Sequence, residues 1–215
     1  MSREREVDTP HGPGRLVVHE AREPLATVLL SHGAGNGIDT ADLQELAAFL
    51  PEQGYTIALF EQPWKVAGRK VATPPPTLDA GLRAAVAALA PATPLVLGGR
   101  SAGARSAARC AGDLDAVGVL ALAFPLHPPG RPEKSRVEEL LAVGVPTLVV
   151  QGERDPMGRP EEFPTSTDLA IVPGADHGLK VPKRGPVSQE EALAIVVEST
   201  LEWLVREVVG NNPEG

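Results

Sequence analysis

PLVLGGRSAG, residues 94–103, joins two segments of different character and decides the fold. The run Pro94 to Gly98 predicts a strand, and Ala102 to Ala111 predicts a helix. Between them, Gly99-Arg100-Ser101-Ala102-Gly103 fits the pattern Gly-x-Ser-x-Gly. A sharp turn of this kind holds its serine in a strained conformation, and side chains two residues before and after it would collide. We therefore predict that Ser101 is a nucleophile at the end of a strand; the alternative is a tight glycine turn with an ordinary capping serine.

Strands and helices alternate along the rest of the chain. The predicted strands are Arg5 to Thr9, Arg15 to Glu20, Ala26 to Ser31, Tyr55 to Phe60, Pro94 to Gly98, Ala116 to Ala123, Pro146 to Gln151 and Asp168 to Val172. The predicted helices are Thr40 to Leu50, Thr77 to Leu89, Ala102 to Ala111, Pro132 to Ala142 and Ser188 to Val209. This alternation predicts βαβ crossovers, and hence an α/β fold with a mainly parallel, twisted sheet and helices on both faces. The first two strands predict an antiparallel amino-terminal edge.

Length and composition favour a single domain over residues 1–215, with flexible tails at 1–4 and 211–215. The net charge of -8 would repel nucleic acid and anionic membranes, so neither is an expected partner. Residues 1–10 lack the apolar core of a secretory signal, and the longest apolar run, residues 116–124, is too short to span a membrane. We expect a cytoplasmic protein whose one cysteine, Cys110, is a small buried hydrophobe.

A serine hydroxyl needs a base to become a nucleophile at neutral pH, and an acid to orient that base. Two loops that follow predicted strands supply both groups. Asp155 follows the strand that ends at Gln151, and His177 follows the strand that ends at Val172. Ligand sites of such sheets lie at the carboxyl ends of the strands, and Ser, acid, His is the expected chain order. We predict Ser101, Asp155 and His177 as a catalytic triad.

Other interpretations of these polar residues remain open. Asp155 can simply cap the turn before the following proline. Glu153 and Asp176 are rival acids, although Glu153 lies closer to the strand and Asp176 adjoins the histidine, where it is expected to stabilise its own turn. His11 and His19 lie in the predicted hairpin and are expected to be solvated surface residues.

Acyl transfer creates a negative oxygen that needs two backbone N–H donors. Ala102, directly after the serine, is expected to supply one. The glycine-rich loop His32-Gly33-Ala34-Gly35 is expected to supply the other, with Ala34 as the favoured donor; its alternative is a flexible glycine turn with His32 bonded internally. Neither nucleotide-binding glycine motif occurs, and no His or Cys cluster has zinc-ligand spacing. We therefore expect no cofactor and no metal.

Residues in the loops after strands are candidates for a substrate pocket. They are His32, Gly33, Asn36, Trp64, Arg69, Arg100 and His127. Ordinary loop packing is the alternative for Trp64, Arg69 and His127. Fewer than twenty residues separate His127 from Pro146, which leaves room for one helix and for no cap domain. We expect an open site for a small acyl substrate, and not the apolar lidded surface of an interfacial lipase.

Five segments together resemble one known family. They are Ser31 to Gly37 (SHGAGNG), Phe60 to Trp64 (FEQPW), Gly98 to Ser101 (GGRS), Phe124 to Gly130 (FPLHPPG) and Gln151 to Asp155 (QGERD). From about Leu16 to Val209, the chain is similar to the α/β-hydrolase family that groups bacterial dienelactone-hydrolase-like proteins with the eukaryotic non-specific-lethal complex subunit 3 and testis-expressed protein 30. The resemblance implies the α/β-hydrolase fold and, by position, the same triad. Dienelactone hydrolases proper use a cysteine nucleophile, so dienelactone hydrolysis itself is not expected.

The function predicted from these features is hydrolysis of an ester, a thioester or a related acyl bond through an acyl-enzyme intermediate. The alternative, from a different class, is a non-catalytic binding or scaffold protein that kept the fold. Some relatives serve as complex subunits, and a homo-oligomer is compatible with the sequence.

Overall fold

Eight strands form one sheet in the computed structural model, which describes residues 2–210. The strands are β1 (Ser2–Thr9), β2 (Gly12–His19), β3 (Ala26–Ser31), β4 (Tyr55–Glu61), β5 (Leu95–Arg100), β6 (Gly118–Leu122), β7 (Thr147–Gly152) and β8 (Asp168–Val172). Their order is β1-β2-β4-β3-β5-β6-β7-β8. β1 pairs antiparallel with β2 and β2 with β4, whereas every other pair is parallel. The predicted fold class, with its antiparallel amino-terminal edge, is confirmed.

Helices cover both faces of the sheet. They are α1 (Ala41–Phe49), α2 (Pro63–Val66), α3 (Pro75–Leu89), α4 (Ala102–Cys110), α5 (Val137–Leu141) and α6 (Gln189–Trp203), and α6 continues as a π-helical segment, Leu204–Val209. α1 and α6 pack on one face, where Leu46 and Trp203 are buried in the same apolar cluster. α3 and α4 pack on the other face with the buried Leu82 and Ala107. All residues of β3 and β5 are buried, as expected for strands that are covered on both sides.

The helix that carries the site, α4, is held by ion pairs as well as by apolar packing. Arg109 contacts Asp79 of α3 at 2.7 Å, and Arg105 contacts Glu139 of α5 at 2.6 Å. Ser106 also donates to Asp79, at 2.7 Å. Cys110, at the end of α4, is fully buried, and this burial raises the pKa of its thiol to about 11. The middle and the carboxyl end of α4 are therefore fixed against both neighbouring helices.

One expectation about the ends of the chain needs correction. Residues 2–4, predicted as a flexible tail, belong to β1, because Ser2 pairs with His19 and Arg3 with Val18 in the hairpin. The other predicted tail, residues 211–215, lies outside the described residues.

Two helix boundaries differ from the predicted ones. The helix predicted over Pro132 to Ala142 covers only Val137–Leu141, since the preceding residues form turns and Ser135 Oγ accepts the N–H of Val137. Conversely, α3 begins at Pro75, two residues before the predicted start at Thr77. Prolines fit the first turn of a helix, where their missing N–H has no acceptor within the helix.

The carboxyl edge of the parallel strands is uncovered. Between β6 and β7, residues 123–146 hold one short helix, and nothing in residues 2–210 forms a cap domain. The predicted absence of a cap is thus confirmed. None of the helices in this part of the chain is long and apolar enough to cross a membrane.

Candidate active site

Ser101 occupies a strained turn between β5 and α4. Its φ angle is +52°, which is rare for a residue with a side chain, and its N–H donates to the carbonyl of Leu122 at 2.9 Å. A Cβ atom on Gly103 would overlap the carbonyl oxygen of Ser31, at the end of β3. A Cβ atom on Gly99 would overlap the same oxygen and would also lie 2.9 Å from the carbonyl carbon of Gly103. Both glycines are therefore required by close backbone contact.

A continuous chain of hydrogen bonds joins the three residues predicted as a triad. Ser101 Oγ lies 2.9 Å from His177 Nε2, and His177 Nδ1 lies 2.7 Å from Asp155 Oδ2. They follow β5, β8 and β7, so the parallel sheet brings their carboxyl ends together. Since a carboxylate only accepts, Nδ1 carries the proton and Nε2 can accept the proton of the serine hydroxyl. This is the arrangement that general-base activation of a serine requires.

Asp155, the carboxylate at the end of these hydrogen bonds, is fully buried and is held from several sides. Oδ1 accepts the N–H of Met157 at 2.8 Å. Oδ2 accepts from Gln151 Nε2 at 2.9 Å in addition to His177. Gln151 also donates to the carbonyl of Gly158, at 2.7 Å. Gln151 therefore orients the acid, a role that we did not predict, although a buried glutamine near the end of an apolar strand is an available signal.

The two rival acids stabilise loops instead. Glu153 accepts the N–H of Gly174 at 2.6 Å. Asp176 Oδ1 accepts the N–H groups of Gly178 and Lys180, at 2.7 and 3.1 Å, and so holds its own turn as expected. Both carboxylates belong to loops near His177. Neither forms a hydrogen bond with the His177 side chain within the described residues.

Arg100, predicted to line a substrate pocket, has its guanidinium bound to protein groups. Its side chain is only 7% exposed, and Nε donates to Asp42 Oδ2 at 2.9 Å. Nη2 donates to the main-chain carbonyl of His177 at 3.0 Å. Asp42, in the first turn of α1, is equally buried. The pair links α1, the serine turn and the histidine loop; Asp42 was not identified from the sequence, because no pattern links it to position 100.

His32 supports the loop predicted to hold the oxyanion. It is buried, and Nε2 accepts the N–H of Gln62 at 3.0 Å. Nδ1 is thereby the protonated nitrogen and donates to the carbonyl of Gly33 at 2.8 Å. Burial lowers the pKa of His32, which favours this neutral form. Trp64 packs against the imidazole, with ring centroids 5.4 Å apart. His32 and Trp64 thus pack beneath the glycine-rich loop and stabilise it. The internal hydrogen bond of His32 agrees with the alternative given for this residue.

The loop itself lies against the serine. A Cβ atom on Gly33 would be 3.3 Å from the Cβ of Ser101. Ala34 and Asn36 are exposed, and the N–H of Ala34 has no acceptor within the described chain. Ala102 is the first residue of α4, where an N–H has no acceptor inside the helix. These two N–H groups therefore stay available for the role predicted for them.

His127 lies apart from the hydrogen-bonded chain. Its Nδ1 is 2.9 Å from the carbonyl of Pro128, and its Nε2 is 2.9 Å from Glu162. The Pro128 carbonyl and then the Glu162 carboxylate raise the pKa of His127. In the part of the chain that the structure describes, His127 forms no hydrogen bond with Ser101, Asp155 or His177. His127 therefore ties together the loops that follow β6 and β7.

The described residues contain no cluster of three or more His, Cys, Asp or Glu side chains that could hold a metal ion. A cleft of about 620 Å³ flanks the histidine loop, where Asn36, Asp42, Arg100 and Gly178 contribute to its walls. Its walls combine polar and apolar side chains and carry both signs of charge.

Comparisons with known proteins agree with this architecture. A family model described as an α/β-hydrolase domain matches residues 24–205. Comparison with curated protein sequences found no match. XC6422 of Xanthomonas campestris, described as an α/β serine hydrolase without a lid, superposes with a TM-score of 0.69 at 20% identity, covering 94% of each chain. Dienelactone hydrolase of Anabaena variabilis gives 0.73 at 19% identity, covering 96% of this chain and 98% of its own. Est1E of Butyrivibrio proteoclasticus gives 0.69 at 14%, covering 94% and 99%.

Proposed function

The chain belongs to the α/β-hydrolase family, and on that premise we propose that it is a serine hydrolase acting on an ester, a thioester or a related acyl bond. The observation that supports this proposal is the unbroken chain from Ser101 Oγ through His177 to Asp155, with separations of 2.9 and 2.7 Å. Ser101 is held at positive φ, and its hydroxyl is hydrogen-bonded to the imidazole nitrogen that can accept a proton. This backbone conformation is strained, and such strain is concentrated at functional sites.

The first half of the proposed reaction forms an acyl-enzyme. His177 Nε2 takes the proton of Ser101 as Oγ bonds to the substrate's carbonyl carbon, and the carbonyl oxygen becomes an oxyanion. The N–H groups of Ala102 and Ala34 donate to that oxyanion. His177 then returns the proton to the leaving group, whose bond to the carbonyl carbon breaks. Asp155 stabilises the imidazolium without taking its proton.

The second half releases the acid. Water replaces the leaving group, gives one proton to His177 and bonds through its oxygen to the acyl carbon. Collapse of the second oxyanion breaks the bond to Oγ, which recovers the proton from Nε2. The uncovered carboxyl edge admits water and substrate directly, which supports a small, accessible acyl compound as the substrate class.

A fluorophosphonate probe tests this proposal, because it bonds only to an activated serine. We expect one adduct per folded chain, located on Ser101 by peptide mass spectrometry. Ser101→Ala should abolish labelling, and the neighbouring Ser106→Ala, which removes a hydroxyl bonded to Asp79, should retain it. Absence of an adduct, while a known serine hydrolase labels in parallel, would instead favour a non-catalytic binding or scaffold protein.

A further inference from the structure

A second pocket begins at the oxyanion loop and is surrounded by positive charge. It has a volume of about 360 Å³, and its walls are Gly35, Trp64, Lys65, Gly68, Arg69 and Lys70. We call this the cationic pocket. Within the part of the chain that the structure describes, no carboxylate forms an ion pair with any of its three cations. In a chain of net charge -8, three neighbouring unpaired cations are an unusual local excess.

The backbone of this segment is held in place by its own hydrogen bonds. Gly68, at φ +70°, donates its N–H to the carbonyl of Lys65 at 2.8 Å. Arg69 donates its N–H to the carbonyl of Trp64 at 2.9 Å, and Trp64 is anchored by its contact with the buried His32. The three cations therefore extend from a segment whose backbone is fixed to Trp64, and Trp64 packs against His32 below the oxyanion loop.

The pocket lies within reach of the reacting serine. A Cβ on Gly33 would be 3.3 Å from Ser101 Cβ, and Gly35 in the pocket wall is two residues further along the same loop. Consecutive Cα atoms are about 3.8 Å apart, so two steps span at most about 7.6 Å. Gly35 Cα therefore lies no more than roughly 12 Å from Ser101 Cβ, so a substrate bonded to Ser101 can reach the pocket wall with a short chain.

Two carboxylates lie near one end of the pocket. A Cβ on Gly37 would be 2.5 Å from Glu61 Oε1, 3.1 Å from Lys65 Cε and 3.2 Å from Asp39 Oδ1. Glu61 is already paired with Arg15, at 2.9 Å. These acids lower the potential around Lys65, which is half-buried. Arg69 and Lys70 are exposed, and among the described residues neither forms an ion pair, so these two cations are the ones to test.

We propose that the cationic pocket binds an anionic group of the substrate, a carboxylate or a phosphate, a few atoms from the scissile carbonyl. This inference rests on the proposed function and narrows its substrate class. The anion is carried either by the acyl part, as in a monoester of a dicarboxylic acid, or by the leaving group, as in a thioester of a phosphate-bearing thiol. Unpaired Arg and Lys side chains bind both kinds of anion by charge-assisted hydrogen bonds.

Matched substrates separate the two sources. For the acyl side, 4-nitrophenyl hydrogen adipate is compared with its neutral methyl ester. For the leaving group, S-butyryl-2-mercaptoethyl phosphate is compared with S-butyryl-2-mercaptoethanol, which lacks only the phosphate. We expect kcat/KM for one anionic member to exceed that of its neutral partner by about tenfold at low salt. The preference should shrink at 0.5 M NaCl, where charges are screened within about 4 Å.

The variant Arg69→Gln/Lys70→Gln should lower that anionic-to-neutral ratio by about tenfold. Lys183→Gln/Arg184→Gln is the matched control, because it removes the same charge from exposed positions outside the pocket and should leave the ratio unchanged. An equal fall in both variants would mean a general field effect and would overturn the inference.

Binding to the Ser101→Ala protein provides a readout that needs no turnover. Calorimetry with adipate and with 2-mercaptoethyl phosphate should detect one of them, with about tenfold weaker binding after Arg69→Gln/Lys70→Gln. Labelling of Ser101 without any anion preference or binding would refute the cationic pocket and leave the proposed function intact. Anion binding through Arg69 and Lys70 without Ser101 labelling would refute the hydrolase and retain the pocket.

Discussion

Arg100 donates a hydrogen bond from its guanidinium to the main-chain carbonyl oxygen of His177, at 3.0 Å. The residue directly before the serine thus holds the backbone of the residue that contacts the serine hydroxyl. Asp42 fixes the same guanidinium from α1, at 2.9 Å. The distance between Ser101 and His177 therefore depends on a buried ion pair as well as on Asp155.

Arg100→Met should lower kcat by about ten- to hundredfold, since a displacement of about 1 Å in a reacting group has effects of this size. It should also lower the free energy of unfolding by about 3–5 kcal/mol, because the Asp42 carboxylate would remain buried without its partner. Ester hydrolysis and urea denaturation measure the two effects.

The double variant Arg100→Met/Asp42→Leu separates positioning from stability. Replacement of a whole buried ion pair by apolar side chains is often neutral, so most of the lost free energy of unfolding should return. The kcat should stay low, because the donor to His177 is still missing. Full recovery of kcat together with stability would show that Arg100 has no positioning role.

Gly103→Ala should unfold the serine turn or abolish activity. Its Cβ would overlap the backbone at Ser31, which cannot move without displacing β3. We expect a loss of at least about 3 kcal/mol in the free energy of unfolding, as for severe overpacking. Gly112→Ala is the control: no atom lies within 4 Å of its Cβ position, and the change should be neutral or stabilising by up to about 1 kcal/mol. Similar melting temperatures for the two variants would contradict the prediction.

Asp155→Asn should reduce kcat on short 4-nitrophenyl esters by about a thousandfold or more, since an amide favours the wrong histidine tautomer. Asp176→Asn keeps an oxygen for the N–H groups of Gly178 and Lys180 and should retain most of the activity. The assignment of the acid fails if the two variants show the opposite order of rates.

His127 should stabilise the protein more at low pH than at high pH. Its pKa is raised in the folded state, so its contribution is complete below the unfolded value of about 6.5 and is lost as the pH rises through the folded value. The pKa of its partner Glu162 is lowered, so that contribution fades as the pH falls through about 4.5 and below.

The free energy of unfolding of the wild type, compared with that of His127→Gln, should therefore show a larger difference at pH 5.5 than at pH 8.5. The change should be a few tenths of a kcal/mol, because Glu162 is partly exposed and water screens the pair. Urea titrations at both pH values measure it, and a difference that grows toward pH 8.5 would have the wrong sign.

The positions of the strands along the chain and the three groups of the hydrogen-bonded chain could be predicted because each depends on local sequence. Ser101 lies in a short pattern, and Asp155 and His177 each follow an apolar run that ends a strand. Parallel pairing then brings the ends of such strands to one edge without any further information.

The contacts of Arg100 and Gln151 could not be predicted, because their partners are set by tertiary packing. Asp42 lies 58 positions before Arg100, and an acid in the first turn of a helix is usually explained by the helix dipole. The boundaries of α5 were wrong for a related reason: turn geometry and a single Ser135 hydrogen bond decide where a five-residue helix begins.

Because Gly103 lies so close to Ser31, the last glycine of the Gly-x-Ser-x-Gly motif is required by the position of β3, which is distant in sequence. Position 103 excludes a methyl group because the backbone of another strand, β3, ends there. Whether position 103 tolerates a larger residue therefore depends on the length and position of β3. A variant in which β3 diverges from β5 by about 1 Å would relax the requirement, and the loop that begins at His32 would move with it. Changes at the two segments should consequently be epistatic, and directed evolution of the serine turn would succeed by altering both at once.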